Sequence, residues 1–208
     1  ARDIVLFDSI ENFVTSDNKE SAWRGVLQSI DTTQLEKIGI KPQVYVNTIE
    51  KYDLETQRGK TADEMLASNW TKLEDFTGDY STIKSVAIDC RKKQDGSDFV
   101  LGKGKSVSAI LNMKAPSYVQ ATGKQLYTYN NVYAHNTIVD ENGGSKTFYI
   151  HQDYTEVKYS IMGKLKIHKT SSKDGSVISN IEFSIYGTSE YGDSVDRKGI
   201  TDKDGNIT

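Results

Sequence analysis

The stretch "GKLKIHKTSSKDG", residues 163–175, reads as the opening strand and turn of a new β-domain, and this reading decides how the chain is divided. Side chains alternate across a strand, so Leu165, Ile167 and Lys169 share one face while Lys164, Lys166 and His168 share the other. Two of the first three are apolar. That face is expected to look inward, with Lys169 at the buried end of a hydrophobic stripe. A buried ammonium is costly unless paired or neutral. Alternatively the strand ends by Lys169 and the amine reaches water along its own stem. Both readings stand at this point. The preceding pattern closes near Ile161, which divides the chain into residues 1–161 and 162–208.

Upstream of that restart, short β-rich runs alternate with turn signals. "DIVLFDSI" puts Ile4 and Leu6 on one face and Val5 and Phe7 on the other, the pattern of a strand apolar on both sides. "AWRGVLQSI", "QVYVNTI" and "KSVSAILNM" read as further strands. In "IKSVAIDC" the set Val86, Ile88 and Cys90 is the expected core face. "KQLYTYNNVYAHNTI" and "KTFYIHQDYTEVKYS" flank "DENGGS", which predicts a hairpin. Two short helices are expected, one after Asp31 as N-cap with Gln34 three residues on, the other at the Thr61/Glu64 capping box. Residues 50–60 read as a polar insert. The whole predicts an all-β chain: an immunoglobulin-like β-sandwich with two short helical insertions, followed by a partial second β-sandwich.

Composition narrows the function classes. The 12 Tyr against two Pro suit strands, and the net charge of −3 with interspersed signs argues against a nucleic-acid surface. There is no apolar run of membrane-spanning length, no signal peptide and no initiator Met, and the chain is expected to be an excerpt of a longer protein. The single cysteine, Cys90, cannot form an internal disulfide. It reads as a small buried hydrophobe, although Arg91, Lys92 and Lys93 after it could favour a thiolate.

Candidate chemistry is sparse. Asp202, Asp204 and Asn206 have the spacing of a calcium loop, but "DKDGN" reads better as a turn. His135, His151 and His168 show no metal-ligand spacing, so no metal and no cofactor is expected. Asp89 with Asp95 and Asp98, or Asp8 with Glu11, could be cast as acid/base pairs. Of Asn130 and Asn131 one must point inward, as a satisfied core amide or as a crosslink acceptor. Tyr127, Tyr129 and Tyr133 could form an exposed aromatic platform for a ligand.

The run "GKLKIHKTSSKDGSVISNIEFSIYG…GITDKDGNIT" resembles the first half of a Cna B-type (SpaA-like) pilin domain. The resemblance rests on Lys169, Asp174-Gly175, Phe183, Ile185-Tyr186, Thr201-Asp202 and Gly205. Asn180-Ile181 departs from the family's usual Gly-Ala. The segments "DIVLFDSIEN", "AWRGVLQSIDTTQLEKIGIKPQVYVNT", "VAIDCRKKQDGSDFVL" and "SVSAILNMKAP…YTYNNVYAHN" resemble a β-sandwich module that precedes such domains in large Gram-positive surface proteins. In many members of the Cna B family the inward lysine forms an intramolecular isopeptide bond with an Asn or Asp of the last strand, assisted by a buried acid. Carried over by position, the reactive lysine is Lys169, with its partners beyond Thr208.

The resemblance implies a non-enzymatic structural or adhesive segment of a cell-wall-anchored bacterial surface protein, such as a stalk or adhesin region. Its expected partners are the neighbouring domains of the same longer chain and an unidentified host or surface ligand. Nucleic acid and membrane are not expected in contact with this segment. The alternative is a module that recognises host carbohydrate or protein through an exposed aromatic surface.

Overall fold

The computed structural model describes residues 1–10, 14–15, 17–49, 54–67, 69–117, 119, 126–151, 154–159, 165–188 and 194–207. The chain is all-β, built from antiparallel strands. The described residues fall into two compact units, one up to residue 159 and one from residue 165. The boundary expected at 161/162 lies outside the described residues.

In the first unit the strands are β1 (Arg2–Ser9), β2 (Val26–Asp31), β3 (Gln43–Asn47), β4 (Thr71–Lys72), β5 (Ser85–Asp89), β6 (Ile110–Lys114), β7 (Tyr127–Asn130), β8 (Val132–Val139), β9 (Ser145–His151) and β10 (Thr155–Lys158). A six-stranded sheet runs in the order β4-β3-β5-β1-β8-β9, and two ribbons, β2-β6 and β10-β7, stand apart from it. β1 is central. Val5 lies opposite Asp89 of β5 on one side and His135 of β8 on the other, and His135 lies opposite Tyr149 of β9.

The alternation in β1 feeds two cores. Ile4 and Leu6 join Val86, Ile88, Val46 and Cys90 of the sheet, against Leu27 and Leu111 from the β2-β6 ribbon. Val5 and Phe7 join Ala87 on the opposite face, where Ala62 and Met65 cover them and Trp70 stacks on Phe7 at 6.0 Å between ring centroids. Val86 and Ile88 of β5, with Cys90 just after it, face the core as expected, and the opposite face of the strand is covered too. Ser85 and Ala87 are fully buried as well, Ala87 beneath a helix that closes the second side.

That helix, α3 (Ala62–Leu66), begins at the predicted capping box: the Glu64 N–H donates to Thr61 Oγ1 and the Thr61 N–H to Glu64 Oε2. The first helix, α1 (Thr33–Lys37), has Thr32 rather than Asp31 as its N-cap. Asp31 acts one residue earlier and accepts the Thr33 N–H at 2.8 Å. The polar insert adds a single helical turn, α2 (Leu54–Gln57), that the polarity of the segment concealed.

The predicted hairpin is present as β8 and β9 around a turn in which Asp140 accepts the N–H groups of Asn142 and Gly144. Its two long runs are each broken, and their outer halves pair separately as β7 and β10. Strand β2 starts at Val26, later than "AWRGVLQSI" suggests, and β6 starts at Ile110 rather than Lys105.

The second unit holds β11 (Ile167–His168), β12 (Glu182–Thr188), β13 (Ser194–Ile200) and β14 (Asn206–Ile207), paired as β11-β14 and β12-β13. The ribbons meet closely where a Cβ on Gly199 would stand 2.7 Å from Ile207 Cγ2. Gly205 combines a φ of +73° with a Cβ position 2.8 Å from the Lys169 carbonyl, so a side chain there is excluded twice over.

Because Phe7 is fully buried against Trp70 and α3, Phe7→Ala should destabilise the first unit by about 3–5 kcal/mol. Chemical denaturation monitored by tryptophan fluorescence should show a lower midpoint with an unchanged slope.

Candidate functional site

Asp8 is the polar member of a core-facing stripe. It shares its face of β1 with Ile4, Leu6 and Ile10, of which Ile4 and Ile10 are buried. It lies opposite Val86 of β5 and Val132 of β8. Here the cover of the sheet opens into a cleft of about 380 Å³. Trp23 and Arg24 before β2, Met113 at the end of β6, Tyr129 and Asn130 of β7 and Val157 of β10 line it.

The groups around Asp8 are held from behind. The Trp23 indole N–H donates to the Leu126 carbonyl at 3.0 Å, and its ring meets Tyr159 edge-on at 5.9 Å. Tyr129 meets Tyr154 edge-on at 5.3 Å, and its backbone N–H donates to Ser21 Oγ. Asn130 Nδ2 donates to Asp8 Oδ2 at 2.9 Å. Among the described residues Asp8 has no cationic partner. Burial pushes its carboxyl up from 3.8 to about 6, and the Asn130 hydrogen bond only partly offsets that rise.

A second cleft, of about 540 Å³, lies on the α3 side of the sheet. His135 lines it with its Nδ1 2.9 Å from the Asp3 carbonyl. A carbonyl accepts, so Nδ1 carries the proton, and Nε2 has no partner among the described residues. Arginines of this cleft are paired with aspartates, Arg2 with Asp3 and Arg91 with Asp89 and Asp63. Arg91 is forked by Asp89 at 2.9 and 2.7 Å and reaches Asp63 at 2.6 Å, while the Tyr149 hydroxyl donates to the Lys60 carbonyl.

The other sequence candidates are dispersed. Tyr129 is only 8% exposed and lines the Asp8 cleft, Tyr127 is half-buried on the same ribbon, and Tyr133 packs on the opposite face of the sheet with Val5 and Phe7. The three do not share one exposed surface. Of the paired amides, Asn130 serves Asp8 and Asn131 Nδ2 donates to the Tyr133 hydroxyl, with Asn131 Oδ1 buried and unpartnered.

Asp89 is paired with Arg91, Asp95 accepts the Ser97 N–H and Asp98 meets Lys92, so these carboxylates converge on no common centre. Glu11 lies outside the described residues. Cys90 is fully buried and its thiol is pushed up to about 12, so it is the inert core residue that the apolar reading expects. Among the described residues no group of three His, Cys, Asp or Glu could hold a metal ion. The Asp202 carboxylate accepts the N–H groups of Asp204 and Asn206, which makes "DKDGN" a turn.

In the second unit Lys169 follows β11 directly and is half-buried, its N–H donating to the Gly205 carbonyl. Leu165 and Ile167 line an apolar groove of about 320 Å³ with Phe183, Ile185, Val195 and Ile207. Lys166 and His168 are exposed, and His168 Nδ1 meets Asn206 Oδ1 at 3.0 Å. Lys164 lies outside the described residues.

Sequence reasoning missed Trp23 and the standing of Asp8. A signal for Asp8 was present, since a charge at the parity of Ile4, Leu6 and Ile10 is out of place. No protein-family model matches the chain, and neither curated proteins nor solved structures yield a match.

The position of Asp8 has a consequence for stability. Below about pH 4 both folded and unfolded chains hold the proton and the site costs nothing. Between about 4 and 6 the unfolded chain ionises first, so stability falls as pH rises, and above about 6 the full cost is present. Asp8→Asn should therefore stabilise the first unit by about 1–3 kcal/mol at neutral pH, with the gain vanishing toward pH 4. Urea titrations of both proteins across that range measure it.

Proposed function

We propose that this chain is a non-enzymatic structural segment of a bacterial cell-surface protein, built to carry tension in a stalk or adhesin region. The observation that carries this reading is the order of strands around β1. β8 runs antiparallel to both β1 and β9, so β1 and β9 run parallel to each other with β8 between them. The N-terminal end of β1 and the C-terminal end of β9 consequently lie at opposite ends of the sheet. A pull applied at Ala1 and His151, the ends of β1 and β9, acts along the strands and loads the β1-β8 and β8-β9 ladders in shear. Many hydrogen bonds must then fail together rather than one after another. The β-rich composition and the resemblance to Gram-positive surface modules support the same reading.

Single-molecule pulling tests the geometry. With handles at Ala1 and His151 the first unit should resist several-fold more force than with handles at Ala1 and Lys93. Lys93 follows β5, whose C-terminal end lies beside the start of β1, so the second geometry peels β1 from β5 bond by bond. Equal forces in the two directions would remove the load-bearing reading.

The resemblance also supports a covalent lock in the second unit. In a longer polypeptide that completes this domain, Lys169 would join a side-chain amide of a closing strand, releasing ammonia. The intact mass of that polypeptide should fall short by one ammonia, and Lys169→Ala should restore it. A full mass in the unsubstituted protein would dispose of the lock and leave the shear argument standing.

Within the described residues no helix is long and apolar enough to cross a membrane. The ligand-binding alternative draws on the Asp8 cleft rather than on a tyrosine platform.

A further inference from the structure

We propose that the cleft over Asp8 binds a basic side chain, a lysine ammonium or arginine guanidinium on its aliphatic stem, presented by a partner polypeptide, with Asp8 as its counter-ion. The inference is independent of the load-bearing reading.

The first argument is charge. Apart from Asp8, Arg24 is the one charged group among the described residues that line the cleft, and its Nη2 donates to the Ser81 carbonyl at 2.5 Å. It makes no ion pair with Asp8. A carboxylate placed among apolar side chains with a single amide donor is under-compensated. That geometry gains most from a cation brought to its second oxygen.

The second argument is the shape of the walls. Met113, Leu111 and Val157 offer an apolar path that suits an aliphatic stem, while Trp23 and Tyr129 contribute aromatic rings to the same cleft. Cations favour ring faces, and both rings are already fixed by their own neighbours. An anionic ligand would meet Asp8, and an uncharged apolar one would leave it unpaired.

The third argument is what the fold itself requires. An asparagine at position 8 would keep a hydrogen bond with Asn130 and carry no charge. Among the described residues no cation pairs with the Asp8 carboxylate, whose one side-chain donor is Asn130.

NMR titration of the chain with acetyl-Ala-Lys-Ala-amide, its arginine counterpart and its norleucine counterpart tests the proposal. The Lys and Arg peptides should bind weakly, in the millimolar range, and shift the Trp23 indole N–H and the Asn130 side-chain amide. The norleucine peptide should not. Asp8→Asn should weaken the two basic peptides by about tenfold or more. Because linkage is reciprocal, saturating Lys peptide must also lower the midpoint at which the Asp8 carboxyl carbon titrates in the unsubstituted protein. This readout decides the matter even if the variant is poorly folded. Equal binding of the norleucine peptide, an unmoved Asp8 titration, or no binding by any of the three would overturn the proposal.

Discussion

Strand β1 is the constraint on which the first unit depends. It is hydrogen-bonded to β5 and β8 on its two edges and packed on both faces, with Ile4, Val5, Phe7 and Ser9 buried and Asp8 left facing a cleft. A strand in that position must be apolar at both parities, and Ile4, Leu6, Val5 and Phe7 meet the requirement. Each face then needs its own cover. The β2-β6 ribbon with Leu35 and Ile40 supplies one, and α3 with Trp70 supplies the other. The capping box at Thr61 and Glu64 matters for this reason, since a helix of one turn and a half has little stability apart from its cap and its contact with the sheet.

Asp8 is where that rule is broken, and the contrast with the other aspartates is physical. Asp31, Asp79, Asp95 and Asp174 sit at turns, where hydrogen bonds from Thr33, Ser81, Ser97 and Ser176 hold their carboxyls below the usual range. Each stabilises a local bend through its ionised form. Asp8 has one amide donor and an apolar surround, and its carboxyl moves the other way. Sites that act on a partner often carry such a local cost, because the groups that satisfy them arrive with the partner.

The second unit is built on a different balance. Its strands form two ribbons rather than one sheet, and the inward members of β12 are only half-buried while Leu165 remains 59% exposed. Around Asp202 and Gly205, backbone hydrogen bonds link Lys169 to Gly205 and Ile178. In the first unit, by contrast, one strand ties the ladders together.

Much of this was legible in the residues alone. Period-two alternation announced β1 and β5, turn chemistry announced the β8/β9 hairpin at "DENGGS", and local chemistry announced the Thr61 cap and the burial of Cys90. These features depend on neighbours a few positions away, which a linear sequence displays. Tertiary structure alone decided which strands share a sheet, that α3 would cover Ala87, and that Tyr127, Tyr129 and Tyr133 would part company. It also brought Trp23, Asn130 and Val157 to Asp8 from distant parts of the chain. Such a meeting depends on register and crossover between remote strands, and a sequence read along its length carries no record of which faces will be brought together.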